Sequence, residues 1–337
     1  MNTSEILREC RRLPGVSVHT NEKYTELLLS SDGGSGRMQF VPLFDGITLA
    51  VIEVHSVSWP APNPEKSDPD TKGPLIINYC IRGRCELVLN DNKSVFLSSG
   101  QISLTEKFAQ NQYIYPGGLY EGIELFIDPE AARGGVALLQ EEFGLHIEEL
   151  SGRYCPNGET FIAELPLEDA LLKKLYILQS AENPASKVGM KTGVIDWLAM
   201  LLYDRLPPKE GNPVYYTRFQ VEIARQIESI LSEDLSRSHT VREFSERFGI
   251  SEGSVKNYFF GVFGQSISRY ITYKRMAHAA GLLEKTDLPI TEIAGSVGYA
   301  SQSKFASAFR REFGMAPLEY RKRKKISNIL QSESNGA

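Results

Sequence analysis

Little in this sequence of 337 residues is suited to holding a metal or attacking a substrate. It has five histidines, His19, His55, His146, His239 and His278, and no two stand as His-x-His. Protein metal centres draw clustered His, Cys and carboxylate ligands, so no metal and no cofactor is expected. No Ser/His/Asp or Cys/His nucleophile pattern is present, and an enzyme is not expected. Four cysteines are too few for a disulfide framework in a chain of this length and fit a reducing cytoplasm. No apolar run approaches the ~20 residues of a membrane span. None follows the basic residues of MNTSEILRECRRLPG, which excludes a secretory signal there. A cytoplasmic protein without a membrane partner is the expectation.

Hydrophobic residues make up 42% of the chain, enough to fill two cores. The net charge of −5 speaks against a nucleic-acid partner until it is divided. Residues 214–337 carry 18 Lys+Arg against 13 Asp+Glu, a net +5, and residues 1–213 carry 19 against 29, a net −10. One part attracts phosphate and the other repels it, which points to separate tasks.

Residues 1–130 read mainly as short strands. GRMQFVPL, ITLAVIEVHSVSW, PLIINYCI, CELVLN, SVFLSS and EGIELFI are rich in Val, Ile, Leu and aromatics and are separated by turn residues. Many strands without helices between them predict an antiparallel barrel or sandwich, with a Pro- and Asp-rich loop at 58–74. INYCIRGRCELVL reads as a hairpin about Arg82-Gly83. Cys80 and Cys85 then face each other at ~4.5–5.5 Å between Cβ atoms, near bridging distance, with Arg82 and Arg84 placed to lower a thiol pKa. A thiol-redox sensor is one reading, and two reduced core cysteines the plainer one. Residues 131–206 turn helical: Leu171, Leu172, Leu175 and Leu178, then Val194, Ile195, Leu198, Leu201 and Leu202, recur at helical spacing. They suit a core or, beside a small barrel, a homodimer seam. PPKEGNP opens a linker over 207–216, and a disordered tail is expected over 326–337.

Residues 217–325 read as helices, and one pattern occurs twice. TVREFSERFGISEGSVKNYFFGVFG, 240–264, aligns with PITEIAGSVGYASQSKFASAFRREFG, 289–314, with one extra residue in the second turn. Val241, Phe244, Gly249, Ser251, Val255, Phe259 and Phe263 match Ile290, Ile293, Gly298, Ser301, Phe305, Phe309 and Phe313. A short helix, a glycine turn and a second helix with an aromatic inner face compose a helix-turn-helix. Thr240 and Glu243 fit a capping box, and Ser251 and Ser301 suit the caps of the second helices. A major groove admits one such helix. The exposed faces offer Glu252, Gly253, Lys256 and Asn257 in one unit and Gln302, Ser303, Lys304 and Ser307 in the other as base contacts. Ser251, Ser301, Arg310 and Arg311 suit phosphates. The intervening SISRYITYKRMAHAAGLLEKT is about 30 Å long as a helix, suited to setting two readers one DNA turn, ~34 Å, apart. RKRKK, 321–325, suits either a helix end or phosphate contact.

Residues 218–323 resemble the DNA-binding domain of the AraC/XylS transcription regulators. The motifs are Arg275 and Ala279, Leu282-Leu283, then Glu292, Ile293, Ala294, Val297, Gly298 and Tyr299, and Phe305, Phe309, Gly314, Pro317, Tyr320 and Arg321. The family often has Arg two residues before the inner Phe, where this chain has Asn257 and Ser307, and a larger base-contacting residue where it has Gly253. The resemblance implies an α+β protein of two domains: an N-terminal cupin-like antiparallel barrel with dimerising helices, and an all-α domain of two helix-turn-helix units on a long helix. It implies a sequence-specific regulator, an activator responding to a small-molecule effector and contacting RNA polymerase. An effector-independent regulator is the alternative, and an enzymatic cupin is disfavoured by the scarcity of histidine. No effector-binding residue is legible.

Overall fold

A computed structural model describes residues 3–31, 33–60, 74–89, 93–106, 112–128, 133–165, 169–179, 184–204, 206 and 214–334. The chain divides into two compact units, Met1–Tyr215 and Tyr216–Ala337. Most of the acidic loop at 58–74 and residues 207–213 of the linker lie outside the described residues.

The N-terminal unit opens with a helix the β-rich reading did not include, α1 (Thr3–Cys10). Ten strands follow: β1 (Val16–Thr20), β2 (Thr25–Ser31), β3 (Gly34–Phe44), β4 (Ile47–Ser56), β5 (Ser58–Pro60), β6 (Leu75–Val88), β7 (Lys93–Ser98), β8 (Gln101–Thr105), β9 (Gln112–Ile114) and β10 (Tyr120–Ile127). Then come α2 (Arg133–Phe143), α3 (Glu149–Tyr154), β11 (Phe161–Glu164), α4 (Asp169–Gln179) and α5 (Pro184–Tyr203). Every pairing described among these strands is antiparallel. One layer runs β1-β2-β3-β4-β10-β6-β8-β11, and the second joins β5, β9, the far half of β6, and β7. The segment 131–206, expected to be purely helical, thus supplies a strand to the sheet.

The hairpin expected at Arg82-Gly83 does not form. β6 is one strand of 14 residues that pairs with β8 through Ile76–Cys80 and with β7 through Arg84–Val88. Arg82-Gly83 is where it bends from one layer into the other. Its register against β10 slips between Glu121 and Gly122, and Gly83 takes φ 87° with the Leu119 carbonyl oxygen only 2.0 Å from where a Cβ would stand. A bulge bends and re-aims a strand without reversing it. Cys80 and Cys85 therefore lie along one strand, buried and unbridged. Burial pushes the Cys80 thiol up to about 12, outweighing the lowering by Arg84, and holds Cys85 well above the ordinary thiol range. The arginine-activated pair across a hairpin is not what the chain builds.

Strand alternation sends two sets of side chains to opposite faces. Leu49, Val51, Ile77, Tyr79, Leu104, Ile123 and Leu125 form a core with Leu172, Leu175, Val194, Trp197, Leu198 and Leu201 of α4 and α5. Leu171, Leu172, Leu175, Val194, Ile195, Leu198, Leu201 and Leu202 of the two stripes are thus covered by the chain's own sheet and serve as core, while the Leu178 side chain lies outside those described. On the other face Leu27, Phe40, Ile52, Ile76 and Phe126 meet Cys10, Trp59, Leu97 and Tyr115 from α1, β5, β7 and the segment after β9.

The C-terminal unit is α6 (Arg218–Glu233), α7 (Val241–Phe248), α8 (Glu252–Phe263), α9 (Ile267–Lys285), α10 (Ile290–Ser296), α11 (Gln302–Phe313) and α12 (Pro317–Ser334). α12 carries helix through 334, where the sequence suggested disorder from 326. The unit has two small cores. Ile223, Ile227, Leu231, Phe244, Val255 and Phe259 close on Ile267 and Tyr270, from the start of α9. Ile293, Ala294, Val297, Phe305 and Phe309 close on Met276, Ala279, Ala280 and Leu283, from its second half. One helix serves both.

Candidate nucleic-acid interface

Each reading helix is fixed at both ends by its own sequence. α8 starts at Ser251, whose hydroxyl accepts the Ser254 N–H at 3.0 Å, and ends at Gly264 with φ 70°. α11 starts at Ser301, which accepts the Lys304 N–H at 3.4 Å, and ends at Gly314 with φ 74°. These caps satisfy donors that a helix start leaves open. α7 carries the expected capping box: Thr240 accepts from Glu243 N–H, and the Glu243 carboxylate accepts from Thr240 N–H, both at 3.2 Å. Its turn glycine, Gly249, has φ 64°, and Gly298 in the second unit has 79°.

The inner stripes are buried as the spacing predicts: Val255, Phe259, Phe305 and Phe309 are each 0% exposed. That anchors the opposite faces outward. Glu252, Gly253, Lys256 and Asn257 on α8 are all exposed, as are Gln302, Ser303, Lys304 and Ser307 on α11. Arg310 and Arg311 are exposed in the last turn of α11. Among the described residues none of Lys256, Lys304, Arg310 and Arg311 has an ion-pair partner, so their charges face solvent unneutralised. The hydroxyls of Ser251 and Ser301 are engaged as caps, which leaves the first-turn N–H groups as the anion-facing elements there.

RKRKK is mostly engaged within the unit. Arg321 donates to the Leu288 carbonyl at 2.6 Å, Lys324 pairs with Glu284 at 3.1 Å, and Lys325 pairs with Asp287. Lys322 and Arg323 are exposed. The Tyr320 hydroxyl and Lys324 together hold the Glu284 carboxyl below the usual range.

The duplication is longer than the two aligned motifs. Tyr270 donates to Glu228 at 2.7 Å with Lys274 at 3.5 Å; fifty residues on, Tyr320 donates to Glu284 at 2.7 Å with Lys324 at 3.1 Å. The ring triads match as well. Phe259, Phe263 and Tyr270 lie 4.6–5.3 Å apart, and Phe309, Phe313 and Tyr320 lie 4.6–5.4 Å apart. The missed signal was Phe-Gly followed six residues later by Tyr and then, after four more, by Lys, in both copies.

Two contacts fix the copies to each other. Arg269, at the start of α9, makes a two-pronged bond to Glu312 of α11 at 2.7 and 2.6 Å, the geometry in which Arg–carboxylate pairs are strongest. Arg275 donates to the carbonyls of Leu235 (2.7 Å) and Arg237 (3.0 Å), tying α9 to the α6–α7 turn. Two capped, outward-facing helices with free basic and amide side chains, held in fixed relation by a shared helix, define a double helix-turn-helix DNA-binding domain.

A family model described as a helix-turn-helix domain matches residues 244–323. The HTH-type transcriptional activator RhaR of Enterobacter sp. (strain 638) is 32% identical over 93 residues, 28% of this chain and 33% of that protein. RhaR of Yersinia pseudotuberculosis serotype O:1b (strain IP 31758) is 32% identical over 108 residues, 32% of this chain and 37% of that one. The chain thus spans about a third of the length of the curated relatives it matches. The solved C-terminal domain of AraT, a response regulator from Geobacillus stearothermophilus, is 32% identical, covering 30% of this chain and 84% of that one, with a TM-score of 0.29. Residues 244–323 thus carry a helix-turn-helix domain similar to that of these transcription regulators. No helix among the described residues is long and apolar enough to cross a membrane.

Proposed function

We propose that the chain regulates transcription by placing α8 and α11 in two successive major-groove segments of double-stranded DNA, and that its N-terminal unit senses a small molecule. The carrying observation is the pair of reading helices with outward polar faces and unpaired basic groups, in a unit of net charge +5. The names of the relatives support an activator; RNA polymerase as a partner and the cytoplasm as its place of work belong to the same proposal. A ligand changes DNA occupancy only through different affinities for two states of the protein. A homodimer remains part of this reading. Its interface would lie outside the leucine stripes, on apolar groups α2 and α5 leave exposed, such as Leu138, Phe143 and Val188.

Side-chain chemistry separates positioning from reading. Arg310→Ala should weaken binding to every DNA sequence alike and reduce the slope of log K against log salt by about one. Lys256→Ala and Gln302→Ala should each cost ~1–3 kcal/mol at one base position and leave the rest of the preference intact. Binding selections on randomised DNA, repeated at two salt concentrations, distinguish these. A uniform loss from all three substitutions would remove Lys256 and Gln302 as base readers. The function itself is tested by binding to the DNA upstream of the chain's own gene against shuffled DNA. Preference retained at the higher salt supports it, and equal binding that vanishes with salt leaves only charge attraction.

A further inference from the structure

Polar side chains stand in line on the apolar face closed by α1, β5, β7 and β9. The registers place Glu124 of β10 opposite Asn78 of β6, and Asn78 opposite Ser103 of β8. Across β10's other edge Glu124 meets Ala50, a side chain too small to fill the adjoining space. Asn78 and Ser103 are 4% and 1% exposed. The Ser103 hydroxyl is buried with no hydrogen-bond partner. No hydrogen bond or ion pair engages the Glu124 carboxyl among the described residues. The Asn78 side-chain oxygen accepts from the Tyr120 hydroxyl at 2.5 Å and has a second lone pair to offer. Buried polar groups are ordinarily paired, and each left unpaired costs about 1–3 kcal/mol. Ser103 bears that cost in full, and the half-buried Glu124 carboxylate stands beside it without a partner among the described residues.

They border two small pockets, of about 50 and 20 Å³, and Glu124 and Tyr113 line both. Ile76 and Ser103 line the first, Phe40 and Phe126 the second. An apolar cavity of about 150 Å³ takes a benzene ring, so these pockets suit a short chain. No lysine, arginine or histidine lines either pocket among the described residues.

We propose that the row Glu124–Asn78–Ser103 is the binding site of a short-chain primary ammonium ion. Its three N–H donors meet the three acceptors and its alkyl chain lies against Ile76 and Phe126. This rests on reading the N-terminal unit as the sensing part and names the chemical class it senses. Glu124 is half-buried by surface area, and the cation supplies the positive charge missing beside its carboxylate. Without it, burial pushes the Glu124 carboxyl up to about 7. The titratable groups around it are Cys10, Cys85, Glu86, Tyr113, Tyr115 and Tyr120, acids without a base among them. Binding therefore requires Glu124 to lose its proton, and affinity rises with pH.

The test is thermal denaturation of the full chain and of Glu124→Gln with n-propylamine, n-propanol or propionate at millimolar concentration. Propylammonium alone should raise the melting temperature of the native chain, with affinity about tenfold greater at pH 8 than at pH 6 for a group titrating near 7. Glu124→Gln should lose that shift. Without ligand, the native chain should lose stability as pH rises from the ordinary carboxylate range to about 7, because the folded state holds the proton that the unfolded state releases. Glu124→Gln should not, which also shows that the variant folds. Equal binding of propylammonium by Glu124→Gln, or binding of propanol or propionate as tight as the amine, overturns the cation and keeps the sensing pocket. No shift with any of the three overturns the ammonium site and leaves the sensing reading to ligands of another class.

Discussion

Phe309→Ala should destabilise the second half of the DNA-binding unit by about 3–5 kcal/mol, the range for truncating a fully buried phenylalanine. Its ring is 0% exposed and packs on Phe305 at 5.8 Å, Phe313 at 4.6 Å and Tyr320 at 5.4 Å. The core it belongs to has few other large side chains, Phe305 being the next. Small cores have little surplus stability, so α10 and α11 should open while α7 and α8 stay closed on their own core. Phe259→Ala should do the converse, since the two positions match ring for ring. Amide hydrogen exchange on the full chain reads this directly. Protection should fall over 290–313 in the first variant and over 241–263 in the second. Equal loss over both stretches in either variant would mean that α9 welds the cores into one cooperative body.

The second large effect belongs to a turn. Gly298 sits at φ 79°, and a Cβ there would stand 2.6 Å from the Ser236 carbonyl oxygen and 3.1 Å from the Arg275 guanidinium. Gly249, its counterpart, has φ 64° and nothing within 4 Å of the same point. Both Gly→Ala substitutions carry the left-handed conformational penalty, of order 1 kcal/mol. Only Gly298→Ala must also displace backbone, and the backbone in question is the turn that Arg275 holds through Leu235 and Arg237. Gly298→Ala should therefore destabilise the unit by ~1–3 kcal/mol more than Gly249→Ala, and weaken DNA binding beyond its effect on folding by moving one reader against the other. Denaturant melts with parallel DNA titrations test this. Equal costs would show that the α6–α7 turn yields freely.

What the sequence discloses differs sharply between the two units. The helix-turn-helix pair is legible because every determinant is local: the capping box at Thr240 and Glu243, the serine caps, the positive-φ glycines, and a helical aromatic stripe all lie within one or two turns of the residues they organise. The exposed faces follow once Phe259 and Phe305 are known to point inward. The N-terminal unit is decided by pairings distant in sequence. Arg82-Gly83 has the composition of a reverse turn, yet Leu119, brought in by β10, makes it a bend inside one strand. β11 was hidden in a helical stretch because FIAE is too short to show a period. Glu124 carried a faint mark, a charge in EGIELFI at a position whose strand neighbours on the same face are Gly122 and Phe126. Its line with Asn78 and Ser103 exists only in the register of three strands.

α9 closes the first core with one end and opens the second with the other, so it also works as a phase setting. Each residue added to an α-helix turns the downstream chain by about 100° and advances it ~1.5 Å. A loop between the two readers would absorb an inserted residue. This helix transmits it whole, swinging α11 away from the side on which α8 presents Lys256 and Asn257. Length is therefore as strictly specified between Ile267 and Lys285 as side-chain identity is on the reading faces.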